Sequence, residues 1–347
     1  MASEELKNIL VIKLDHIGDV LWATPSLSTL RKNLPGARIV MLCTRYTEPA
    51  LRGNPDIDGV IIYDRESLPS NRDKKKFLKD AMTRPDLALC LDPRDEAVLL
   101  AYLSEAKIRA GYYLPDKPIS VLKSMARLNR RYVHPAMMEK NKAGFPHEVD
   151  ADLALLDMLG LGSEPERETR IYLSEDEKNG AEKFLSERGV KDEPLIMWHL
   201  PLKWKEGGWG DDYLISLGRG LSELIPGGRL LVTCGPGEEE LLNSIKADLP
   251  AGTVAAAGLD FRIWAALFPH SCVVVSRDCG AVHVAAALGT PVVSVFEEFK
   301  RKEHARWEPW GVPHVNIFRP EKMTGEGFEK NIGEIINGTK KLLEESL

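Results

Sequence analysis

Two short stretches of this chain combine acidic, basic and very small residues in an order that can do chemistry on a charged ligand. In the first, Asp278, Cys279 and Gly280 separate the apolar run Val273 to Ser276 from a small-residue stretch that carries His283 and ends at Gly289-Thr290-Pro291. A tight turn from a buried strand into a helix is predicted there. The unpaired N–H groups and positive dipole end of that helix attract an anion such as phosphate. His283 falls in the first turn, where it can donate to the same anion, although a lone histidine at such a position can equally be a packed core residue. In the second stretch, the apolar run Ile9 to Ile12 is followed by Asp15-His16-Ile17-Gly18-Asp19. Open α/β sheets place ligands at the carboxyl ends of such strands. Asp19 stands at the rim of that crevice, as a carboxylate able to take a proton from a hydroxyl or as a simple helix cap.

The elements that must position these groups alternate between strand and helix in both halves. Ile9 to Leu14, Ile39 to Cys43, Val60 to Tyr63 and Leu87 to Leu91 read as parallel strands of a first domain. Leu195 to His199, Leu230 to Thr233, Thr253 to Ala257, Val273 to Ser276 and Val292 to Phe296 repeat the pattern in a second. After Asp19 a helix begins at once or restarts at Pro25 with Thr24 as N-cap. The charged stretch from Glu175 to Arg188, closed by Gly189 and Pro194, reads as a helix bridging the domains. The organisation is therefore a first domain over residues 1–170, a linker helix within 171–193 and a second domain over 194–331. No G-x-G-x-x-G follows the first strand, so a dinucleotide dehydrogenase is not supported.

At 347 residues the chain suits two cores better than one. No apolar run approaches the ~20 residues of a membrane span, and the N-terminus MASEELKNILVIK lacks the features of a signal peptide, so a cytoplasmic protein is expected. Cys43, Cys90, Cys234, Cys272 and Cys279 form no C-x-x-C pair and read as reduced thiols. Formal charge is +1 over residues 1–165 and −7 over the rest. Between Lys107 and Lys142, nine basic residues face only Asp116 and Glu139. Within this stretch ISVLKSMARLNRRYV mixes apolar and cationic positions at roughly helical spacing. It is either a solvated helix face or a surface for a phosphorylated, lipid-linked ligand, with Arg127, Arg130 and Arg131 as the contact residues. Two D-x-D strings, Asp56-Ile57-Asp58 and Asp150-Ala151-Asp152, read as surface polarity rather than a metal site.

The second half offers further ligand contacts. Cys234-Gly235-Pro236-Gly237-Glu238 follows the strand LLVT, and a carboxylate there commonly bonds ribose hydroxyls. Glu238 is the candidate, with Glu239 and Glu240 one register away and helix stabilisation as the plain alternative. In LKWKEGGWGDDY, Lys203 stands before Trp204 and Lys205 before Trp209.

Taken together the chain resembles glycosyltransferase family 9, the heptosyltransferases of the bacterial lipopolysaccharide inner core. The resemblance is carried by Lys13, Ile17-Gly18-Asp19-Val20-Leu21, Ala23-Thr24-Pro25 and Leu27, then by Asp278, Gly280, His283, Ala285, Ala286, Ala287, Gly289, Thr290 and Pro291. Weaker echoes in the right order are Pro85 to Leu89, Arg109 to Tyr112, and His147-Glu148 with Leu153, Leu156, Leu159 and Gly160. The resemblance implies a GT-B fold, with two Rossmann-like doubly wound domains facing a central cleft and a last helix, 332–347, crossing back onto the first domain. It also implies an inverting transferase without cofactor or metal. Asp19 would be the catalytic base, and Lys13, Gly18, Arg127, Arg130 and Arg131 would meet the acceptor. Lys205, Glu238, Asp278, Cys279, Gly280 and His283 would bind the donor. The resemblance implies a donor-binding lysine just before a tryptophan in LKWKEGGWGDDY, and its spacing to Trp209 and Tyr213 favours Lys205 with a two-residue insertion. The partners implied are a nucleotide-diphosphate sugar, such as ADP-heptose, and an anionic lipid-linked saccharide at the inner membrane surface, with no role for nucleic acid.

Two departures stand out. The family's usual Asp-Thr-Gly is Asp278-Cys279-Gly280 here, which replaces a hydroxyl by a weak thiol donor. Glu297-Glu298-Phe299-Lys300-Arg301 replaces a Gly-Pro-Thr-like loop and sets two carboxylates near the expected diphosphate. The alternative readings are a transferase using another nucleotide sugar, a nucleotide-sugar 2-epimerase, or a catalytically weakened scaffold of polysaccharide assembly.

Overall fold

In a computed structural model, which describes residues 6–135, 145–320 and 324–346, the apolar runs become the centres of two parallel sheets. The chain divides into two units, residues 1–172 and 173–347. The first sheet contains β1 (Asn8–Ile12), β2 (Arg38–Thr44), β3 (Gly59–Tyr63), β4 (Leu87–Cys90), β5 (Ile108–Tyr113) and β6 (Arg130–Val133), in the order β3-β2-β1-β4-β5-β6. The second contains β7 (Leu195–His199), β8 (Arg229–Thr233), β9 (Val254–Ala256), β10 (Ser271–Arg277), β11 (Val292–Glu297) and β12 (His314–Arg319), in the order β12-β11-β10-β7-β8-β9. Read from β9, the second order repeats the first, so each unit is a doubly wound sheet whose strand order reverses beside its own first strand. Every pairing is parallel.

The central strands are unbroken apolar runs because helices cover both faces of a parallel sheet. Ile9, Leu10, Val11 and Ile12, and likewise Val273, Val274 and Val275, are fully buried. Three strands lack that signature. In β5 (IRAGYY), β6 (RRYV) and β12 (HVNIFR), polar residues interrupt the apolar run, since these strands lie at or next to a sheet edge with less cover. The basic stretch accordingly splits into the helix Pro118–Arg127 and the edge strand β6, rather than continuing as one helix. Its last residues, Glu139, Lys140 and Lys142, lie outside the described residues.

After β1 the helix Ile17–Trp22 begins at once, and Thr24–Asn33 follows with Ala23 at its N-cap. The Thr24 hydroxyl, expected to cap, instead donates to the Leu21 carbonyl (2.7 Å) and accepts from the Arg170 amide (3.1 Å). The helix Glu175–Ser186 belongs to the second unit and packs on Phe261–Ala266. A reciprocal cap starts it: Ser174 Oγ accepts from the Glu177 amide (3.3 Å), and the Glu177 carboxylate accepts from the Ser174 amide (2.8 Å). The same carboxylate holds Arg262, which is 2% exposed, through two 2.8 Å bonds. The C-terminal helix, Gly325–Ser346, packs on helix Asp211–Glu223 and on β10, β11 and β12 of the second unit. No helix among the described residues is long and apolar enough to cross a membrane.

The Glu177–Arg262 pair sets a pH dependence. The hydrogen bonds from Arg262, outweighing partial burial, hold Glu177 down at about 2 against an ordinary 4.5. A depressed carboxylate contributes stability that is fully present above its unfolded value and is lost as pH falls toward the folded one. Acid unfolding between pH 4.5 and 2 should therefore weaken in Glu177→Gln. Glu177→Ala, which leaves Arg262 buried without its partner, should cost about 3 kcal/mol at neutral pH in urea unfolding.

Candidate functional site

Each doubly wound sheet opens a crevice where its first and fourth strands send the chain to opposite sides. In the first unit this point lies between β1 and β4. Asp15, His16 and Asp19 follow β1; Asp92 and Arg94 follow β4. Asp19 accepts a 3.2 Å hydrogen bond from the His16 amide, which caps the first helical turn, and its side chain remains 25% exposed. Its carboxylate also lies 3.7 Å from His16 Nδ1, while Asp15 lies 3.0 Å from the same nitrogen. Arg94 bridges Asp15 (2.9 Å) and buried Asp92 (2.6 Å). Partial burial, then the charge on Asp19, raises Asp15. The hydrogen bond to Asp19 raises His16 against partial burial, with Asp15 adding to it. Both groups therefore hold protons more strongly than usual. Asp15, His16 and Asp19 place ligand atoms within 4.8 Å of one another, the geometry of a possible cation site, but Arg94 and His16 already answer its charge.

Gly18 is buried in the first turn of the helix, as close packing under the crevice requires. Lys13, expected to meet a ligand, lies beneath the crevice with 3% exposure. Its ammonium donates to the Leu91 carbonyl (2.9 Å) and to Asp152 (3.2 Å), which is 1% exposed. Burial alone would lower Lys13, but Asp152, Asp19, Glu148 and Asp92 together raise it well above its ordinary value, so it stays charged. Burial, with Glu148 and Asp19 contributing, raises Asp152. Glu148 in turn lies 3.3 Å from buried His134. Surface polarity is thus the wrong reading for Asp152, whose partner lies 139 residues away in sequence. It holds for the other members of the two strings: Asp150 pairs with Arg167, Asp58 with Arg31 and the Ile39 amide, and Asp56 with Ser28.

Arg127, Arg130 and Arg131 are not brought to Asp19. Arg127 ends the helix Pro118–Arg127, and the two others are exposed on β6. Three inter-strand steps, about 14 Å, separate β6 from β1.

In the second unit the switch point lies between β7 and β10. β10 ends at Arg277, Asp278 forms the turn, and extended Cys279 (φ −159°) caps the helix Gly280–Ala287, closed by Gly289 at φ +77°. No side-chain oxygen caps the first helical N–H groups, and the Cys279 sulfur lies against the Ala281 amide. His283 sits in the first turn at 5% exposure. Burial, against the Ser276 hydrogen bond, raises the Cys279 thiol and keeps it protonated. All five cysteines are free.

Two cations converge on this turn. Lys203 Nζ donates to the Asp278 carbonyl, and Lys300 Nζ lies 2.5 Å from the Asp278 carboxylate. Lys205, which the spacing favoured, is turned away and pairs with Asp211. The cause is Trp204 between them, fully buried and edge-to-face with Trp209 at 4.8 Å, which in turn meets Phe328 at 5.4 Å. With Trp204 pinned in the helix Lys203–Glu206, its flanking lysines must diverge. The Glu238 carboxylate accepts from the Gly235 amide and the Leu202 amide, both at 2.9 Å. It therefore ties its own turn to the Lys203 loop, with lone pairs left for a further donor.

The carboxylates of the unusual loop do not confront the anion turn uncompensated. Glu297 is clamped by Arg277, 3% exposed, and by Arg319 at 3.4 Å, while Glu298 pairs with Arg301 at 2.5 Å. Arg277 also donates to the Lys203 carbonyl (3.0 Å), and a Cβ at Gly207 would meet its guanidinium at 2.5 Å. Arg277, Arg319 and Arg94 escaped the sequence reading, and Lys300 and Asp152 were named there without the partners that give them meaning, Asp278 and Lys13. Two acids followed by two bases between Glu297 and Arg301 were a local signal for Lys300.

Two doubly wound sheets in one chain, each with charged groups at its switch point, are the GT-B architecture. The chain belongs to glycosyltransferase family 9 (heptosyltransferase), whose family model matches residues 97–331, and it is a glycosyltransferase. It is 25% identical over 301 residues to lipopolysaccharide heptosyltransferase 3 of Escherichia coli (strain K12), covering 84% of this chain and 82% of that protein. The crystal structure of the glycosyl transferase family 9 from Veillonella parvula DSM 2008 superposes with a TM-score of 0.80 at 20% identity, over 98% of each chain. E. coli ADP-heptose lps heptosyltransferase II gives 0.74 at 19% identity, covering 97% of this chain and 99% of that one.

If Lys13 serves Asp152 rather than a ligand, stability will report it. Lys13→Met should cost about 3 kcal/mol in urea unfolding by stranding a buried carboxylate, and Lys13→Met/Asp152→Leu should recover most of that loss.

Proposed function

We propose that the protein transfers heptose from a nucleotide-diphosphate sugar, ADP-heptose by preference, to an anionic lipid-linked saccharide of the lipopolysaccharide core. The observation that carries this reading is the turn at Asp278–Gly280, where a helix terminus without an oxygen cap and Lys203 stand together, with Lys300 beside them on the Asp278 carboxylate. The names of the relatives, a lipopolysaccharide heptosyltransferase and an ADP-heptose lps heptosyltransferase, support the choice of sugar and acceptor. The reaction is placed in the cytoplasm, at the inner face of the membrane, in keeping with five free thiols.

In this reading Asp19 removes the proton of the acceptor hydroxyl as its oxygen attacks the anomeric carbon, and the bond to the diphosphate breaks on the opposite side. One displacement inverts the centre. The leaving diphosphate gathers charge against the helix N-terminus, Lys203, Lys300 and His283, with backbone amides of Cys279 and Gly280 nearby, so no metal or cofactor is required. Glu238 orients the ribose with its remaining lone pairs. Lys205, paired with Asp211, makes a smaller contribution than Lys203. Arg127, Arg130 and Arg131, on the far edge of the first sheet, hold phosphates or carboxylates distant from the reacting sugar.

Two outcomes test the chemistry. Asp19→Ala should lower turnover about 10²- to 10⁴-fold while nucleoside-diphosphate affinity in calorimetry stays near wild type; turnover in the wild-type enzyme should survive excess chelator. Near-normal turnover by the variant removes Asp19 from the base role, and a magnesium-reversible loss returns a metal to the mechanism. For the donor site, Lys203→Ala and His283→Ala should each weaken nucleoside-diphosphate binding about tenfold to a hundredfold, the value of a hydrogen bond to a charged group. Lys205→Ala should weaken it less than Lys203→Ala, and the reverse order would restore Lys205 as the diphosphate contact.

A further inference from the structure

The helix Pro118–Arg127 faces the wrong way for a helix of a folded core. Its one buried residue is Ser124, whereas Ile119 and Leu122 are each 69% exposed and Met125 is 57% exposed. At 100° per residue, Ile119, Leu122 and Met125 form a stripe on the side opposite Ser124, and Lys123 and Arg127 flank one border of it. The polar face is thus packed on helix Asp95–Leu103 and the apolar face is outward. Scattered exposed apolar side chains are common on any protein, but three in helical register on one short element are not.

Charge identifies what this face meets. From Lys107 to Pro135 the chain carries seven basic residues and one acidic residue, Asp116. Lys107 pairs with Asp86 and Lys123 with Asp95; Lys117, Arg127, Arg130 and Arg131 have no carboxylate partner among the described residues. An outward apolar stripe beside a cluster of uncompensated cations fits a surface that is apolar inside and anionic at its rim, which is the headgroup region of an anionic bilayer. A second copy of the same chain would bring like charges together.

We propose that Ile119, Leu122 and Met125 insert into the headgroup region of anionic lipid, with Lys117 and Arg127 lying against the lipid phosphates. This docks the first unit on the membrane that carries the acceptor, and it rests on the transferase reading for its purpose but not for its test. The insertion is shallow and reversible, since three side chains and a few cations bind far less strongly than a spanning segment.

Vesicle flotation of the full chain without substrates decides it. The protein should float with vesicles of phosphatidylglycerol and phosphatidylcholine in equal parts, and not with phosphatidylcholine alone. Half-molar salt should release most of it. Ile119→Ser/Leu122→Ser/Met125→Ser should lower partitioning at least tenfold while leaving the melting temperature and nucleoside-diphosphate affinity unchanged. In a second variant, Leu122→Trp, fluorescence at the new position should be quenched by brominated phosphatidylglycerol. Absence of flotation by the wild type, equal flotation by the triple variant, or no quenching would overturn the proposal. So would a fall in melting temperature in the triple variant, which would mean that the chain itself covers the stripe, or loss of a dimer in sedimentation, which would assign the face to a second copy. A protein that floats as expected but transfers no heptose would refute the proposed activity and leave the docking surface standing.

Discussion

The strand order of a doubly wound parallel sheet is the constraint on which both candidate sites depend. A parallel neighbour can be added only through a crossover, and crossovers from the first strand run to one face for β2 and β3 and to the other for β4 and its successors. The chain leaves β1 and β4, or β7 and β10, in opposite directions, so a gap opens at the carboxyl ends that no side chain of the sheet can close. Three of the proposed groups follow the strands that border these gaps: Asp19 after β1, Lys203 after β7 and the Asp278 turn after β10. The chain uses the same geometry twice with opposite electrostatics. Carboxylates crowd the first gap, whereas lysines and an unpaired helix terminus mark the second.

Buried charge maintains that difference. Beneath the first gap Lys13 is fixed between Asp152 and the Leu91 carbonyl, so an acidic neighbourhood is held at fixed distance without collapsing. Beside the second gap Arg277 and Arg319 absorb Glu297, and Lys300 is placed on Asp278. These pairs are poor sources of net stability, because desolvation offsets most of their attraction. What they contribute is placement: each is costly to break singly, and they tie the end of β1 to the helix Glu148–Met158, the ends of β10, β11 and β12 to one another, and the Asp278 turn to the segment after β11. The departure from the family at Glu297-Glu298 is accordingly self-compensating. One carboxylate is matched by two buried guanidinium groups and the other by Arg301.

Aromatic packing does for the Lys203 loop what charge does for the turn. Trp198, Trp204, Trp209 and Phe328 form an edge-to-face series from β7 to the C-terminal helix. Each contact is modest, about 0.5–1.5 kcal/mol beyond burial, but the rings are rigid and lose little entropy on ordering. Through this series the C-terminal helix takes part in aiming a lysine more than 100 positions earlier in the chain.

The sequence by itself determined the class of fold, the central strands and the two turns to which the chemistry is assigned in our proposal. Strands buried on both faces must be unbroken apolar runs, and a turn from strand to helix requires small residues in a local order, so both are written over a few adjacent positions. The edge strands β6 and β12, and β5 beside the edge, were illegible because partial exposure admits polar residues and erases the pattern. Only the tertiary structure decided which lysine faces the anion turn, since spacing is blind to the burial of Trp204 between Lys203 and Lys205. Likewise, no local rule distinguishes Asp152 from Asp150, one buried on Lys13 and the other exposed on Arg167, until the helix bearing both is packed. Nor does composition reveal that the helix Pro118–Arg127 turns Ser124 inward and its apolar stripe outward, for periodicity predicts that a helix is two-faced and leaves to packing which face is covered.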